Sequence, residues 1–219
     1  MEKAMGYPGN KHNKVAWYAQ FEETDRKLQC MLNRPREDGT VDRYRYLHSK
    51  GVANTALALA MCHGVDFEKA YLAGLLHDAA KAFPDGERVA FCEENDIPVT
   101  DAERKNPSLL HGKMAAHLLT TEFGIQDPEI ASAITYHTTG RPDMTPLEMI
   151  VYIADYIEPS RHHSEELPKM RRIAFRSLPE CVFMIAAETC EHLLTKKDQA
   201  VDPMTRETYG FYQDQLNRG

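Results

Sequence analysis

The chain has 219 residues, of which 42% are hydrophobic and 27% are charged, a composition typical of a globular protein with one sizeable core. Its formal net charge of −7 argues against nonspecific binding to nucleic acid polymers or to anionic membranes. No apolar run approaches the roughly 18 residues that a membrane-spanning helix needs, and the first residues hold no apolar signal core, so we expect a cytoplasmic protein.

Helices dominate the first half of the sequence, since no period-2 alternation is long enough to predict a strand. The apolar periodicity predicts helices over residues 14–33, 43–63, 66–81 and 85–95. Gly64 is a stop signal after the second of these, and Asp66 is an N-cap for the third. We interpret residues 1–40 as an N-terminal helical extension and residues 41–219 as the main domain.

The second half continues the helical pattern. Six helices are predicted, over residues 106–123, 127–137, 145–157, 165–176, 179–196 and 205–217. Asp127-Pro128 and Thr145-Pro146 each give an N-cap followed by a proline at the first helical position. The apolar stretch 181–187 fits either the core or the interface of a homodimer.

The adjacent pair His77-Asp78 is the most informative feature of the chain. It follows the apolar run Ala73-Gly74-Leu75-Leu76, where a small-residue surface allows another helix to approach closely. A buried imidazole and carboxylate must be paired, hydrogen-bonded or bound to a metal. Neighbouring side chains on a helix point about 100° apart, so one metal can bind both only at a helix end or distortion.

Four further residues with metal-binding side chains fall within helices or at helix ends: His48, His111, His137 and Asp155. Asp155 interrupts the strongly apolar segment 150–157, where a carboxylate is seldom buried unless it is paired. Together with His77-Asp78 they supply too many ligands for one ion and too few to saturate two. A carboxylate such as Asp78 could bridge two ions, with open positions left for water and substrate. We therefore predict a metal site inside a helical bundle.

The order His48, His77-Asp78, Asp155 resembles the H…HD…D signature of the HD-domain metal-dependent phosphohydrolases. The surrounding segments are more specific, and they resemble the YqeK family, described as bacterial symmetrical diadenosine tetraphosphate hydrolases that bind iron. These segments are residues 45–48, 73–81, 109–112, 137–140 and 154–161. The resemblance covers roughly residues 43–195 and does not require residues 1–40.

The resemblance implies an all-α HD-domain bundle with a two-metal site in its interior. By position, the first ion would be held by His48, His77, Asp78 and Asp155, and the second by His111, His137 and the bridging Asp78. Thr138 follows His137 where other two-metal HD families often carry a second histidine, so we expect the protein to coordinate the second ion less fully. The donor set suits iron, manganese, zinc or nickel, and the resemblance favours iron.

The implied substrate is a dinucleoside polyphosphate, cleaved by metal-activated water into two ADP. We assign catalytic roles to Asp78 and Lys81, and phosphate contacts to Lys81, Thr138, Arg141 and Arg161. The chain has no GxxxxGK[ST] phosphate loop, which leaves the phosphate charge to the metals and these cations.

Two other activities fit the same residues. One is a different HD-type nucleotide hydrolase, a 5′-nucleotidase or a phosphodiesterase, and the other is a di-iron oxygenase on the same scaffold. A ligand-binding module without activity fits less well, because the ligand set leaves open positions. Tyr46, Tyr136 and Tyr156 are candidates for base stacking by their position in the sequence, with core packing as the alternative.

Overall fold

The computed structural model describes residues 11–33, 40–41, 43–195 and 202–218. Within these ranges all regular structure is helical, which confirms the predicted fold class. The helices are α1 Lys11–Leu32, α2 Tyr44–His63, α3 Phe67–Leu76, α4 Asp85–Glu94, α5 Asp101–Lys105, α6 His111–Thr121, α7 Pro128–Tyr136, α8 Pro146–Ile157, α9 Leu167–Ala174, α10 Leu178–Thr195 and α11 Pro203–Arg218. In the part of the chain described, no helix is long and apolar enough to cross a membrane.

The predicted helix boundaries at capping residues are confirmed. The side chains of Asp66 and Asp127 each accept two backbone N–H bonds at the start of α3 and α7, and Thr145 forms a capping box with Glu148. Gly64 ends α2 with φ +68°, a left-handed conformation that glycine adopts without the steric cost of a Cβ.

Three local predictions were wrong. The helix expected over 66–81 ends at Leu76, and a 3₁₀ turn spans Ala79–Ala82. The expected 106–123 helix divides into a 3₁₀ turn at Pro107–Leu110 and α6, and the short helix α5 was not predicted. At the first break, the Asp78 carbonyl accepts from Lys81 N–H in a 3₁₀ bond, which turns the chain away from the α-helical path.

Helix α8 lies at the centre of the fold. Its residues Ile150, Val151, Ile153 and Ala154 are fully buried, and it packs against α2, α3, α7 and α10. Burial of one large aliphatic side chain contributes about 1.5–3 kcal/mol, so this helix is a principal source of stability. Asp155 is therefore attached to one of the most rigidly packed elements.

Helix α1 packs on the main domain through its C-terminal half. Leu28 and Leu32 join the core, while Asp25 accepts hydrogen bonds from Lys50 Nζ at 3.1 Å and from the Tyr46 hydroxyl at 3.0 Å. Residues 1–10 and 34–39 of the proposed N-terminal extension lie outside the described residues. The division of the chain at residue 40 stays a prediction.

Helix α11 anchors the loop that follows α7. The Thr208 hydroxyl donates to the Thr139 carbonyl at 3.0 Å, and the Met144 N–H donates to the Tyr212 hydroxyl at 3.0 Å. Gly140 has φ +64°, and a Cβ at this residue would lie 2.7 Å from Thr208 Cγ2. The C-terminal helix thus fixes the loop that begins next to His137.

The predicted apolar segment 181–187 contributes to the core on one face of α10. Cys181, Val182, Ile185 and Ala186 are buried, whereas Phe183 and Met184 are only partly buried. The alternative interpretation of this segment as a homodimer interface stays a prediction.

Candidate metal centre

The structure brings together the six residues that the sequence suggested as metal ligands. They come from five helices or helix ends: His48 from α2, His77 and Asp78 from the end of α3, His111 from the start of α6, His137 from the end of α7, and Asp155 from α8. All are buried except Asp155, which is partly exposed. Burial of so many polar groups at one point is costly unless their atoms are hydrogen-bonded, ion-paired or bound to a metal.

The first group consists of His48, His77 and Asp155. His48 Nε2 lies 3.0 Å from Asp155 Oδ1, and His77 Nε2 lies 3.6 Å from the same oxygen. The three ligand atoms converge within 4.8 Å of one another, which is the spacing expected of groups that share one cation.

The second group surrounds His111 and His137, whose Nε2 atoms lie 3.0 Å apart. Asp78 Oδ1 lies 3.3 Å from His111 Nε2 and 3.7 Å from His137 Nε2. The Thr138 hydroxyl lies 3.1 Å from His111 Nε2 and 3.0 Å from His137 Nε2. The residue that follows His137 thus contributes a hydroxyl to this group, and not a second imidazole.

Asp78 connects the two groups. While its Oδ1 faces His111 and His137, its Oδ2 lies 3.7 Å from His77 Nε2 and accepts a hydrogen bond from Arg45 Nη1 at 2.9 Å. His77, Asp78 and His137 form a second convergent set of possible ligands. The end of α3 at Leu76 makes this possible, because it lets two sequence neighbours turn towards the same interior point.

Each of the four histidines has its Nδ1 hydrogen-bonded away from the centre. In three of them Nδ1 lies 2.5–2.7 Å from a carbonyl three residues earlier: Gly74 for His77, Ser108 for His111 and Ile134 for His137. A carbonyl can only accept, so Nδ1 carries the proton and Nε2 keeps the lone pair in the neutral ring. This arrangement orients imidazoles as metal ligands.

The Nε2 atom of His77 is buried and has no hydrogen-bond partner among the described residues. An unpaired buried polar atom costs about 1–3 kcal/mol, and a metal ion on this lone pair would remove that cost. The donor set and this orphaned atom therefore both fit a bound divalent cation.

Glu158 is a further residue of this site, which the sequence analysis did not identify. Its Oε1 lies 3.0 Å from His48 Nδ1, and its two oxygens also accept from the backbone and hydroxyl of Ser160. Gly51 provides the space, because a Cβ there would lie 2.7 Å from Glu158 Oε2. The signal was present as a carboxylate three residues after Asp155, but its partner lies 110 residues away.

Two glycines let the ligand-bearing helices approach closely. A Cβ on Gly74 would lie 3.0 Å from the Ala53 backbone of α2, which bears out the expectation for the Ala73-Gly74 surface. A Cβ on Gly112 would lie 2.7 Å from the Thr135 carbonyl of α7. These contacts bring α3 against α2 and α6 against α7, beside the histidines.

Burial sets the charge of two of the imidazoles, His77 and His111. It lowers the pKa of His77 to about 4, despite the opposing effect of Asp78, and it lowers the pKa of His111 well below its ordinary value. Burial alone raises the pKa of Asp78, but the surrounding imidazoles outweigh it, and the pKa falls well below its ordinary value. At neutral pH His77 and His111 are therefore neutral and Asp78 is ionised, the forms that bind metals.

The cations that we expected at the phosphates occupy different environments. Arg161 Nη2 lies 2.8 Å from Asp155 Oδ1, at the edge of the first group. Burial lowers the pKa of Lys81, although the nearby carboxylate of Asp78 opposes this shift. Arg141 instead forms a bidentate pair with buried Glu148, with N–O distances of 3.1 and 2.8 Å. Its guanidinium is thus engaged in a structural ion pair.

The three tyrosines considered for base stacking each contact another side chain of the protein. The Tyr46 hydroxyl donates to Asp25, the Tyr136 ring lies under Arg141 at 5.4 Å, and the Tyr156 ring packs against His163 at 4.6 Å. These contacts favour the alternative interpretation, in which the rings serve packing.

Comparisons with known proteins agree with this geometry. Residues 45–160 match the model of the HD domain family. The chain is 39% identical to "Bis(5'-nucleosyl)-tetraphosphatase, symmetrical" of Bacillus subtilis (strain 168) over 77% of this chain and 89% of the relative. A Staphylococcus aureus (strain NCTC 8325 / PS 47) protein of the same name is 36% identical over 77% of this chain and 86% of its own.

A crystal structure of an HD superfamily hydrolase from Clostridium acetobutylicum, described as involved in NAD metabolism, has a similar fold. Its TM-score is 0.81 at 33% sequence identity, and the match covers 89% of this chain and 97% of that one. The similarity thus extends over nearly the whole of that hydrolase.

Proposed function

The chain belongs to the HD domain family and, within it, to the YqeK family, and we propose that it hydrolyses diadenosine tetraphosphate symmetrically into two ADP. The relatives from Bacillus subtilis and Staphylococcus aureus carry the name of that activity. The observation that carries the proposal is the position of Asp78, whose Oδ1 faces His111 and His137 while its Oδ2 faces His77. One carboxylate thus joins two sets of imidazoles, as a two-metal hydrolase requires.

We assign two divalent ions to this centre and propose iron as the metal. His48, His77, Asp78 and Asp155 would hold the first ion, and His111, His137 and Asp78 would hold the second. The fit rests on the unpaired Nε2 of His77 and on the Nδ1 hydrogen bonds that orient the rings of His77, His111 and His137. Mixed imidazole and carboxylate ligands suit iron, though the same set also accepts manganese or zinc.

Bound ions of this kind lower the pKa of water towards neutrality and offset the charge of a polyphosphate. The chain's own residues then have to hold the substrate in line and exclude competing geometries. Asp78 contributes by fixing the separation of the two imidazole groups. Glu158 contributes by holding the ring of His48 in one orientation through its Nδ1.

Arg161 and Lys81 are the cations that we assign to the phosphates. Arg161 is partly exposed beside Asp155, so a phosphate oxygen can reach its remaining N–H groups, and a guanidinium binds phosphate through paired hydrogen bonds. Lys81 lies near Asp78 and adds a point charge. The Thr138 hydroxyl is assigned a hydrogen bond to a phosphate oxygen at the second group. Arg141 can contact a phosphate in the same way only through N–H groups that are not paired with Glu148.

In the proposed reaction, water attacks one of the two central phosphorus atoms. The bond from that phosphorus to the oxygen bridging the central pair breaks, and the second ADP leaves with that oxygen. The oxygen of water remains on the first ADP, and one proton is released at neutral pH. The products are two identical nucleotides, without an intermediate covalently bound to the protein.

A substrate panel tests this proposal. Protein of measured metal content would be incubated separately with diadenosine tetraphosphate, AMP and a cyclic dinucleotide, and kcat/KM compared. We expect kcat/KM to be highest for diadenosine tetraphosphate. Preference for AMP would indicate a 5′-nucleotidase, and preference for the cyclic dinucleotide would indicate a phosphodiesterase. Oxygen consumption with none of these hydrolysed would favour an oxygenase.

A further inference from the structure

An exposed apolar patch borders the metal centre at the start of α2. It consists of Val41, Tyr44 and Leu47, whose exposed fractions are 44%, 57% and 63%. These are three of the seven large hydrophobic side chains that are exposed among the described residues, and they lie within seven positions of one another. Exposed apolar surface concentrated in this way marks binding sites more often than surface that is scattered.

Tyr44 connects this patch to the centre. It lies one helical turn before His48, and the two rings are nearly parallel, with an interplanar angle of 10° and centroids 6.4 Å apart. His48 is 3% exposed, so the tyrosine forms the surface above a buried ligand ring. The exposed ring of Tyr44 thus lies beside the His48 side of the candidate metal site.

The charges beside the patch identify the kind of ligand. Arg45, next to Tyr44 in the chain, has a side chain 41% exposed and reaches Asp78 Oδ2 at 2.9 Å. Arg161 also reaches His48, with its Nη2 3.3 Å from His48 Nε2. Cations that flank an aromatic surface suit a molecule with an anionic part and a flat apolar part. A nucleotide has both.

We infer that Tyr44 is a stacking surface for a nucleobase of the substrate, at the His48 side of the metal centre. The inference rests on the proposed function, since that supplies a substrate with a base at each end of its phosphate chain. Stacking on an aromatic ring tolerates any base, because every base has a π face. Tyr44 would therefore contribute affinity for nucleotides without selecting adenine.

The test compares ligands with and without a base. Binding of ADP and of inorganic pyrophosphate, and KM and kcat for diadenosine tetraphosphate, would be measured for wild type, Tyr44→Ala and Tyr44→Phe at matched metal content. Met61→Ala is the control, since Met61 is 66% exposed near the far end of the same helix. We expect Tyr44→Ala to weaken ADP and raise KM on the order of tenfold, with pyrophosphate binding and kcat unchanged. Tyr44→Phe and Met61→Ala should resemble wild type.

Two results would overturn the inference. Equal weakening of ADP and pyrophosphate would show that Tyr44 acts by supporting His48, and unchanged ADP binding would show that no base stacks there. The proposed function fails differently, through absence of diadenosine tetraphosphate hydrolysis by the wild type. In that case the comparison of ADP with pyrophosphate still decides whether Tyr44 contacts a base.

Discussion

The Nδ1 atom of His48 lies 3.0 Å from Oε1 of Glu158, and both side chains are buried. The pair orients an imidazole whose Nε2 faces Asp155 at 3.0 Å. Carboxylate–histidine pairs of this kind support metal ligands from outside the coordination sphere. The orientation of His48 thus depends on Glu158, whose contacts lie on the His48 side of the centre and not among His111 and His137.

Replacing Glu158 with glutamine is expected to weaken metal binding by about 10–100-fold, because the neutral amide holds the imidazole less firmly. Metal affinity would be measured by titration of chelator-treated protein. Glu166→Gln is the matched control, because Glu166 is exposed at the surface. Equal metal affinities for the Glu158 variant and wild type would show that Glu158 does not support metal binding.

Gly51→Ala tests the same support from the opposite helix. The added Cβ would meet Glu158 Oε2 at 2.7 Å and push the carboxylate from His48, so we expect weaker metal binding although alanine is the better helix former. In Gly210→Ala the new methyl group meets nothing within 4 Å, and metal binding should stay at the wild-type value. If both variants bind metal equally well, the packing of Glu158 against Gly51 is unimportant.

The burial of His77 predicts a pH dependence for the metal-free protein. The folded-state pKa of about 4 lies below the ordinary 6.5, so the folded state binds fewer protons between these values. Above about pH 6.5 the imidazole is neutral in both states, and the free energy of unfolding is at its highest. As the pH drops towards 4 the unfolded state gains a proton, and the free energy of unfolding falls by at most about 3 kcal/mol. Urea unfolding of chelated wild type and His77→Gln across this range would show a smaller decrease in the variant. An identical decrease would contradict the assignment.

Tyr212→Phe tests how α11 holds the loop after His137. The change removes the acceptor for the Met144 N–H, a buried donor that then has no partner, so the free energy of unfolding should fall by about 1–3 kcal/mol. Tyr209→Phe removes a hydroxyl that accepts from the side chain of Gln213, and it should change stability little. The comparison is made by urea unfolding, and a Tyr212 variant as stable as wild type would contradict this role of α11.

The sequence was sufficient for the fold class and for most helix boundaries, because N-caps such as Asp127 and Thr145 act locally. It was insufficient where tertiary contacts override local preference. The chain leaves the α-helical path at Leu76, although alanines and a lysine follow, because His77 and Asp78 both turn into the interior. Propensity alone favours a continuous helix there.

The sequence also could not show which residues far apart along the chain contact one another. The six candidate ligands could be named from residue type and position, whereas the role of Glu158 depends on its meeting His48 across 110 residues. Arg141 shows the converse, since its sequence neighbourhood suggested phosphate binding and the fold engages it with Glu148. A charged side chain has a predictable chemistry, but its partner is set by the packing of helices.

The identity of the nucleotide products shows whether this centre cleaves diadenosine tetraphosphate symmetrically. Metal-loaded wild type and Asp78→Asn would be incubated with diadenosine tetraphosphate, and the nucleotides separated by chromatography. We expect ADP as the sole product of the wild type and none from the variant, since Asp78 joins both imidazole groups. ATP and AMP in equal amounts would contradict symmetrical cleavage, and ADP formation by the variant would contradict the assignment of the reaction to this centre.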